Sequence, residues 1–240
     1  MSTAASDSPG SLGRLWLFAA ALFLPSLGAG LAFALSVGSG APPAVYAASL
    51  PDGSSTVPAA DAPRITLAAN SEPTVDQINS IWVDRTANLT GIPSTAVRAY
   101  AAAQLAAPAA CHLGWTTLAG IGWIESGHGT HGGSTLLANG DTTGSITGPQ
   151  LTGGMGKAMG PMQFIADTWR RWATDGDGDG TADVNNINDA AYTAARYLCA
   201  DGRDLSKAAD WAAAIYSYNH AQWYVDEVYN AANTYAARAR

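Results

Sequence analysis

The sequence predicts a mostly α-helical domain over residues 76–240, placed behind a long apolar segment and a linker. Three observations lead to this. From Asp76 onward apolar and aromatic residues recur at helical spacing between start and stop signals. No convincing alternation of strand type occurs, apart from short pieces within a glycine-rich stretch. Residues before Asp76 carry almost no charge and no amphipathic period, so they have no face to bury in a globular core.

The elements follow in order. Asp76 to Leu89 places Ile78, Ile81, Trp82 and Arg85 on one helical face, and Pro93-Ser94 opens a second helix through Leu105. A third is expected from about His112 to Ser126. Gly127 to Gly160 is rich in Gly, Ser and Thr and too long for an ordinary connection, which marks it as a functional loop or lid. Helices resume at Pro161–Ala173, Ile187–Ala200, Ser206–Tyr218 and Tyr224–Ala237.

Upstream, residues 15–37 contain no charge and are long enough to cross a bilayer core, with Arg14 just before them. Residues 1–14 would then be cytoplasmic. The same stretch also reads as a signal peptide, because Pro25 and several glycines interrupt it and Val45-Tyr46-Ala47 offers a small-residue cleavage site. Anchor or cleaved signal, both place the domain outside the cytoplasm. Residues 38–75 read as a disordered Ala/Pro/Ser linker, which if extended would span roughly 100 Å.

Charge narrows the partners. The net charge is −7, the pI is near 4.8, and Lys157 and Lys207 are the only lysines, so the basic face that a nucleic acid requires is missing. The ligand is expected to be neutral, or recognised by hydrogen bonds and stacking. An exported domain meets an oxidising environment, which makes Cys111 and Cys199 a candidate disulfide; two buried free thiols are the alternative.

Glu125 is the candidate catalyst. Trp115, Leu118, Gly122 and Glu125 share one helical face, so the carboxylate ends an apolar stripe. It also occupies the last helical turn, where the helix dipole disfavours negative charge. Both effects raise a carboxyl pKa, and a carboxylic acid kept protonated near neutral pH is what protonation of a glycosidic oxygen needs. Most glycosidases use a second carboxylate, yet between Arg98 and Ala166 the only other acid is Asp141. That shortage suits a mechanism in which the sugar supplies its own nucleophile.

Asp175, Asp177, Asp179 and Asp183 fall at positions 1, 3, 5 and 9 of a calcium loop, with Gly180 at 6 and the Thr181 carbonyl at 7. Asn186 stands at position 12 in place of the usual Glu, and nearby Asp189 is a second means of closing the site. His128 and His131 do not suggest zinc, since glycines break the helix that a helical ligand motif requires. Trp172, Trp211, Trp223 and Tyr224 could stack on sugar rings or fill the core.

Five segments resemble one family, the lytic murein transglycosylases of the transglycosylase B type in their actinobacterial form. They are TGIP with AVRAYAAA from Thr90, GIGWIESGHG around Glu125, MGPMQFIADTW from Met159, DGDGDG with DVNNINDAA from Asp175, and YSYNHAQWYVDEV from Tyr216. The resemblance covers about Trp82 to Tyr235 and implies a lysozyme-like helical fold of the goose-type lysozyme and lytic transglycosylase kind. It implies non-hydrolytic cleavage of the β-1,4 bond between N-acetylmuramic acid and N-acetylglucosamine in peptidoglycan, a carbon-oxygen lyase reaction leaving 1,6-anhydromuramic ends. Glu125 matches the sole acid/base; Gln163, Tyr218 and Asn219 match positions that hold the sugar. Catalysis would need no cofactor, and calcium would be structural. The competing classes are a hydrolytic muramidase and a non-catalytic peptidoglycan-binding module.

Overall fold

The computed structural model describes residues 48–51, 54, 56–58, 78–151 and 156–240. The segment 15–37 lies outside them, and no helix among the described residues is long and apolar enough to cross a membrane.

The fold is mostly helical, with seven α-helices among the described residues: α1 (Ser80–Thr90), α2 (Ser94–Ala106), α3 (Trp115–Ser126), α4 (Ala166–Trp172), α5 (Ile187–Leu198), α6 (Ala208–Tyr218) and α7 (Gln222–Arg238). α3 is the central helix, and nearly all of it is buried. Its two internal glycines permit this. A Cβ at Gly120 would meet the Val228 carbonyl of α7 at 2.8 Å, and one at Gly122 would collide with the Tyr100 phenol of α2. The alanine-rich faces of α2 and α5 pack closely on one another, and Trp115, Leu118, Ile121, Trp211, Ile215 and Tyr224 fill the centre. Cys111 and Cys199 are joined, with Cα atoms 5.5 Å apart, and tie the turn before α3 to the end of α5.

Several helix ends differ from those expected. α1 starts at Ser80 because the Asn79 side chain accepts from the Trp82 amide, 3.0 Å away, and so caps it. α3 starts at Trp115, since His112 is left-handed and Gly114 is extended. Residues Pro161 to Ile165 are not helical. Gly160 and Gln163 have positive φ, and Met159 pairs with Phe164 across the turn. α7 begins two residues early, at Gln222.

The glycine-rich stretch folds as an antiparallel pair, β1 (Thr147–Gln150) and β2 (Lys157–Met159), preceded by a bridge between Leu136 and Thr142. The linker reading needs correction at its described residues. Leu50 and Pro58 are buried, and the Gln222 side chain accepts from the Ser49 amide and donates to the Ser49 carbonyl. The Tyr229 hydroxyl donates to the Thr56 carbonyl at 3.0 Å. These residues lie on the helical domain because Leu50, Ala48 and Val57 supply the apolar contacts that a Pro/Ala/Ser composition conceals.

Candidate active site

The end of α3 delivers Glu125 to the floor of an open cleft lined by both apolar and polar side chains. One wall is the β1–β2 pair with the turn after it, through Leu151, Ala158 and Gln163; the other is the end of α6 with α5, through Tyr218, Asn219 and Tyr197. Gln163, Tyr218 and Asn219 line this cleft together with Glu125.

Glu125 is only 9% exposed, and its Oε1 accepts a hydrogen bond from the Tyr224 hydroxyl at 2.5 Å. Burial pushes its pKa up to about 8, against the lowering effect of that hydrogen bond. Tyr224 and Tyr218 stack with planes 4° apart and centroids 6.4 Å apart, and the Tyr218 hydroxyl donates to the Met162 carbonyl at 2.8 Å. Burial, followed by the Glu125 charge, holds both phenols well above their ordinary range, so they act as neutral donors. Gln163 donates through Nε2 to the Gly160 carbonyl at 2.8 Å and to the Ile146 carbonyl at 3.3 Å, which locks its left-handed turn to the wall.

Tyr224 is the functional residue that sequence reasoning assigned loosely, to core or to sugar stacking. It is fully buried, so it belongs to the core and to Glu125 rather than to a sugar face. Trp211 is likewise core, its indole N–H donating to Thr117 Oγ1 at 3.0 Å. Trp223 stands exposed beside Tyr224, and the Trp172 ring has the guanidinium carbons of Arg171 and Arg196 at 5.7 and 5.8 Å from its centroid.

Asp141 does not line the cleft. Its carboxylate accepts from Asn139 Nδ2 at 2.6 Å and from Asn186 Nδ2 at 3.0 Å, at the aspartate loop. In that loop Asp175, Asp177 and Asp189 bring carboxylate oxygens within 4.8 Å of one another, hard donors that suit calcium. Asn186 turns its amide N–H to Asp177 Oδ2 at 2.9 Å, while its carbonyl caps α5 through the Asn188 amide at 2.8 Å. Asp189, the second of the two closing residues considered, lies within this carboxylate group. Asp179 and Asp183 accept from backbone amides of the loop, those of Thr181 and Asn185. His128 is bonded through both ring nitrogens to tyrosines, and so offers no lone pair to zinc.

Residues 141–212 match the transglycosylase SLT domain. The match agrees with the resemblance drawn from the sequence and covers the β1–β2 wall of the cleft, the aspartate loop and α4 to the start of α6. Glu125 precedes the matched residues. Among curated proteins none matches the sequence. Of the solved structures, SltB3 from Pseudomonas aeruginosa in complex with NAG-anhNAM-pentapeptide is 16% identical, with TM-score 0.46, covering 74% of this chain and 69% of that one. The Escherichia coli lytic transglycosylase Slt35 in complex with bulgecin A is 13% identical, with TM-score 0.44, covering 72% and 82%. Slt35 in complex with calcium is 14% identical, with TM-score 0.43, covering 68% and 77%.

Proposed function

We propose that this transglycosylase cleaves the β-1,4 bond between N-acetylmuramic acid and N-acetylglucosamine in peptidoglycan without water, with Glu125 acting first as acid and then as base. The protonated Glu125 gives its proton to the glycosidic oxygen as the bond from the muramoyl C1 breaks. The resulting carboxylate takes the proton of the muramoyl 6-hydroxyl, whose oxygen closes on C1 to leave a 1,6-anhydro end. Glu125 finishes protonated, ready for the next cycle.

One observation carries this reading: among the described residues, Glu125 is the only carboxylate lining the cleft, and its buried setting keeps it an acid to about pH 8. A hydrolase of the usual kind would place a second carboxylate about 5 to 9.5 Å from the first. Asp141, the sequence's only candidate, is engaged at the aspartate loop instead. Gln163, Tyr218 and Asn219 are assigned to holding the sugar, and calcium at Asp175, Asp177 and Asp189 to a structural role. The substrate places the enzyme outside the cytoplasm, with residues 15–37 as membrane anchor or cleaved signal.

Mass spectrometry of the products released from purified sacculi tests the reaction. Anhydromuramic ends are expected. Reducing muramic ends would make the enzyme a hydrolase, and release at the wild-type rate by Glu125→Gln would remove Glu125 from the mechanism.

A further inference from the structure

The reaction makes no use of the buried His128, three residues beyond Glu125. Its backbone is left-handed (φ 62), between left-handed Gly127 (φ 59) and Gly129 (φ 83). For a residue with a Cβ this conformation costs roughly 1 to 2 kcal/mol, so surrounding contacts must hold it.

Those contacts run across the core. The imidazole is 2% exposed; Nδ1 lies 3.1 Å from the Tyr100 hydroxyl of α2, and Nε2 lies 2.9 Å from the Tyr235 hydroxyl of α7. A neutral imidazole has one donor and one acceptor nitrogen, so the two bonds must run in one direction. Tyr100 is fully buried, with His128 as its hydrogen-bond partner; Tyr235 lies at the edge, 6% exposed. The consistent assignment has Tyr100 donating to Nδ1 and the Nε2 proton donated to Tyr235, whose own proton can reach solvent. Burial keeps the ring neutral by pushing its pKa down to about 3.

The same turn closes the catalytic helix. The His128 amide donates to the Gly122 carbonyl at 2.8 Å, and the Gly127 amide to the Trp123 carbonyl at 3.0 Å, so both bonds span Glu125. Ser126 Oγ donates to the Pro161 carbonyl and accepts from the Gly129 amide at 2.7 Å. The Tyr100 phenol that meets the imidazole also packs against Gly122, three residues before Glu125.

We propose that His128 is a positioning residue for Glu125: by tying the last turn of α3 to Tyr100 on α2 and Tyr235 on α7, it sets the direction in which the carboxyl enters the cleft. The inference rests on the reading of Glu125 as the acid. The titratable and charged groups facing the bridge are Tyr100, Tyr235 and, beside Tyr235, Arg238; those facing Glu125 are Tyr224 and Tyr218.

Two variants test it. His128→Asn tolerates the left-handed turn but is too short to reach both phenols, and Tyr235→Phe removes one bond at the edge of the core. For each, kcat is expected to fall about 10-fold or more while KM stays within about twofold, because small displacements of a catalytic group are costly. Each should also move the alkaline limb of the pH profile to lower pH, since a loosened carboxyl meets water and loses its raised pKa. Carbon-13 NMR of the Glu125 carboxyl should show the same downward movement. A lowered melting temperature with kcat and the Glu125 titration unchanged would overturn the proposal; if His128→Asn does not fold, Tyr235→Phe alone decides. The NMR titration requires no turnover, so an inactive wild type overturns the transglycosylase reading and leaves this test intact.

Discussion

The Tyr224 hydroxyl donates to Oε1 of Glu125 at 2.5 Å from the first turns of α7, across 99 residues of sequence. This bond favours the carboxylate, while burial favours the acid, and burial wins. Tyr224→Phe removes the opposing influence without opening the core. The Glu125 pKa should therefore rise above about 8, moving the alkaline limb of activity upward. The carboxylate would be less stable once formed, and kcat should drop about 10-fold. An unchanged pH profile would show that the bond does not matter to the acid.

Stability should carry the mark of the same carboxyl. Its folded pKa is raised from 4.5 to about 8, so between these values the folded state binds the proton that the unfolded chain has released. Stability then falls as pH rises through that window. Glu125→Gln cannot ionise and escapes the loss, which amounts to a few kcal/mol at order of magnitude. The variant should match the wild type near pH 4 and melt several degrees above it at pH 9. Parallel melting curves across that range would contradict the burial argument.

Calcium should raise the melting temperature, because the gathered carboxylates of Asp175, Asp177 and Asp189 repel one another when no cation lies between them. Burial first, with the Asp177 charge adding, already pushes Asp189 up to about 6. Asp189→Asn should lose most of the calcium response. Asn186→Ala should retain it while weakening the cap on α5. The opposite pattern would restore Asn186 as the closing ligand.

Much of this could be read in the sequence, and the remainder fails for identifiable reasons. Helical periodicity located the seven helices of the described residues to within about five residues at each end, and the apolar stripe anticipated the buried position of Glu125 at the end of α3. Tyr224 was visible as a residue but not as a partner, since nothing local signals a contact between residues so distant in the chain. Asn186 fitted a loop position by count, and a count of loop positions does not show that its side chain also caps α5. Pro161 to Ile165 read as helix because a proline opens helices well; the left-handed Gly160 and Gln163 instead form the turn that aims Gln163 into the cleft.

The Cys111–Cys199 bridge closes 88 residues of sequence around α3 and α5. In the chain-entropy model a loop of that length stabilises by about 4 to 5 kcal/mol, an upper expectation. Cys111→Ala with Cys199→Ala should lower the melting temperature by roughly 10 °C or more, at about 2 to 4 °C per kcal/mol for a domain of this size. The bridge lies away from the cleft lining, so kcat at 25 °C should change little for whatever remains folded.

The docked residues between 48 and 58 bear on both stability and reach. Leu50 is 8% exposed within the core cluster, and Ser49 is bound at both its amide and its carbonyl by Gln222, two residues before Tyr224. Burying one such leucine is worth about 1.5 to 3 kcal/mol, so a chain beginning at residue 60 should melt several degrees below one beginning at residue 48. Equal melting temperatures would mean that the segment adds nothing to the folded state. The consequence for reach follows from chain geometry. If residues 15–37 anchor the protein, no more than the ten residues 38–47 separate the membrane from Ala48, and ten residues span at most about 35 Å when fully extended. A free linker through residue 75 would allow roughly 100 Å. Leu50→Asp with Gln222→Ala should release the segment, and a membrane-bound variant should then cut glycan held at distances from the bilayer that the wild type cannot reach. Identical cutting by both would show that docking does not limit the tether.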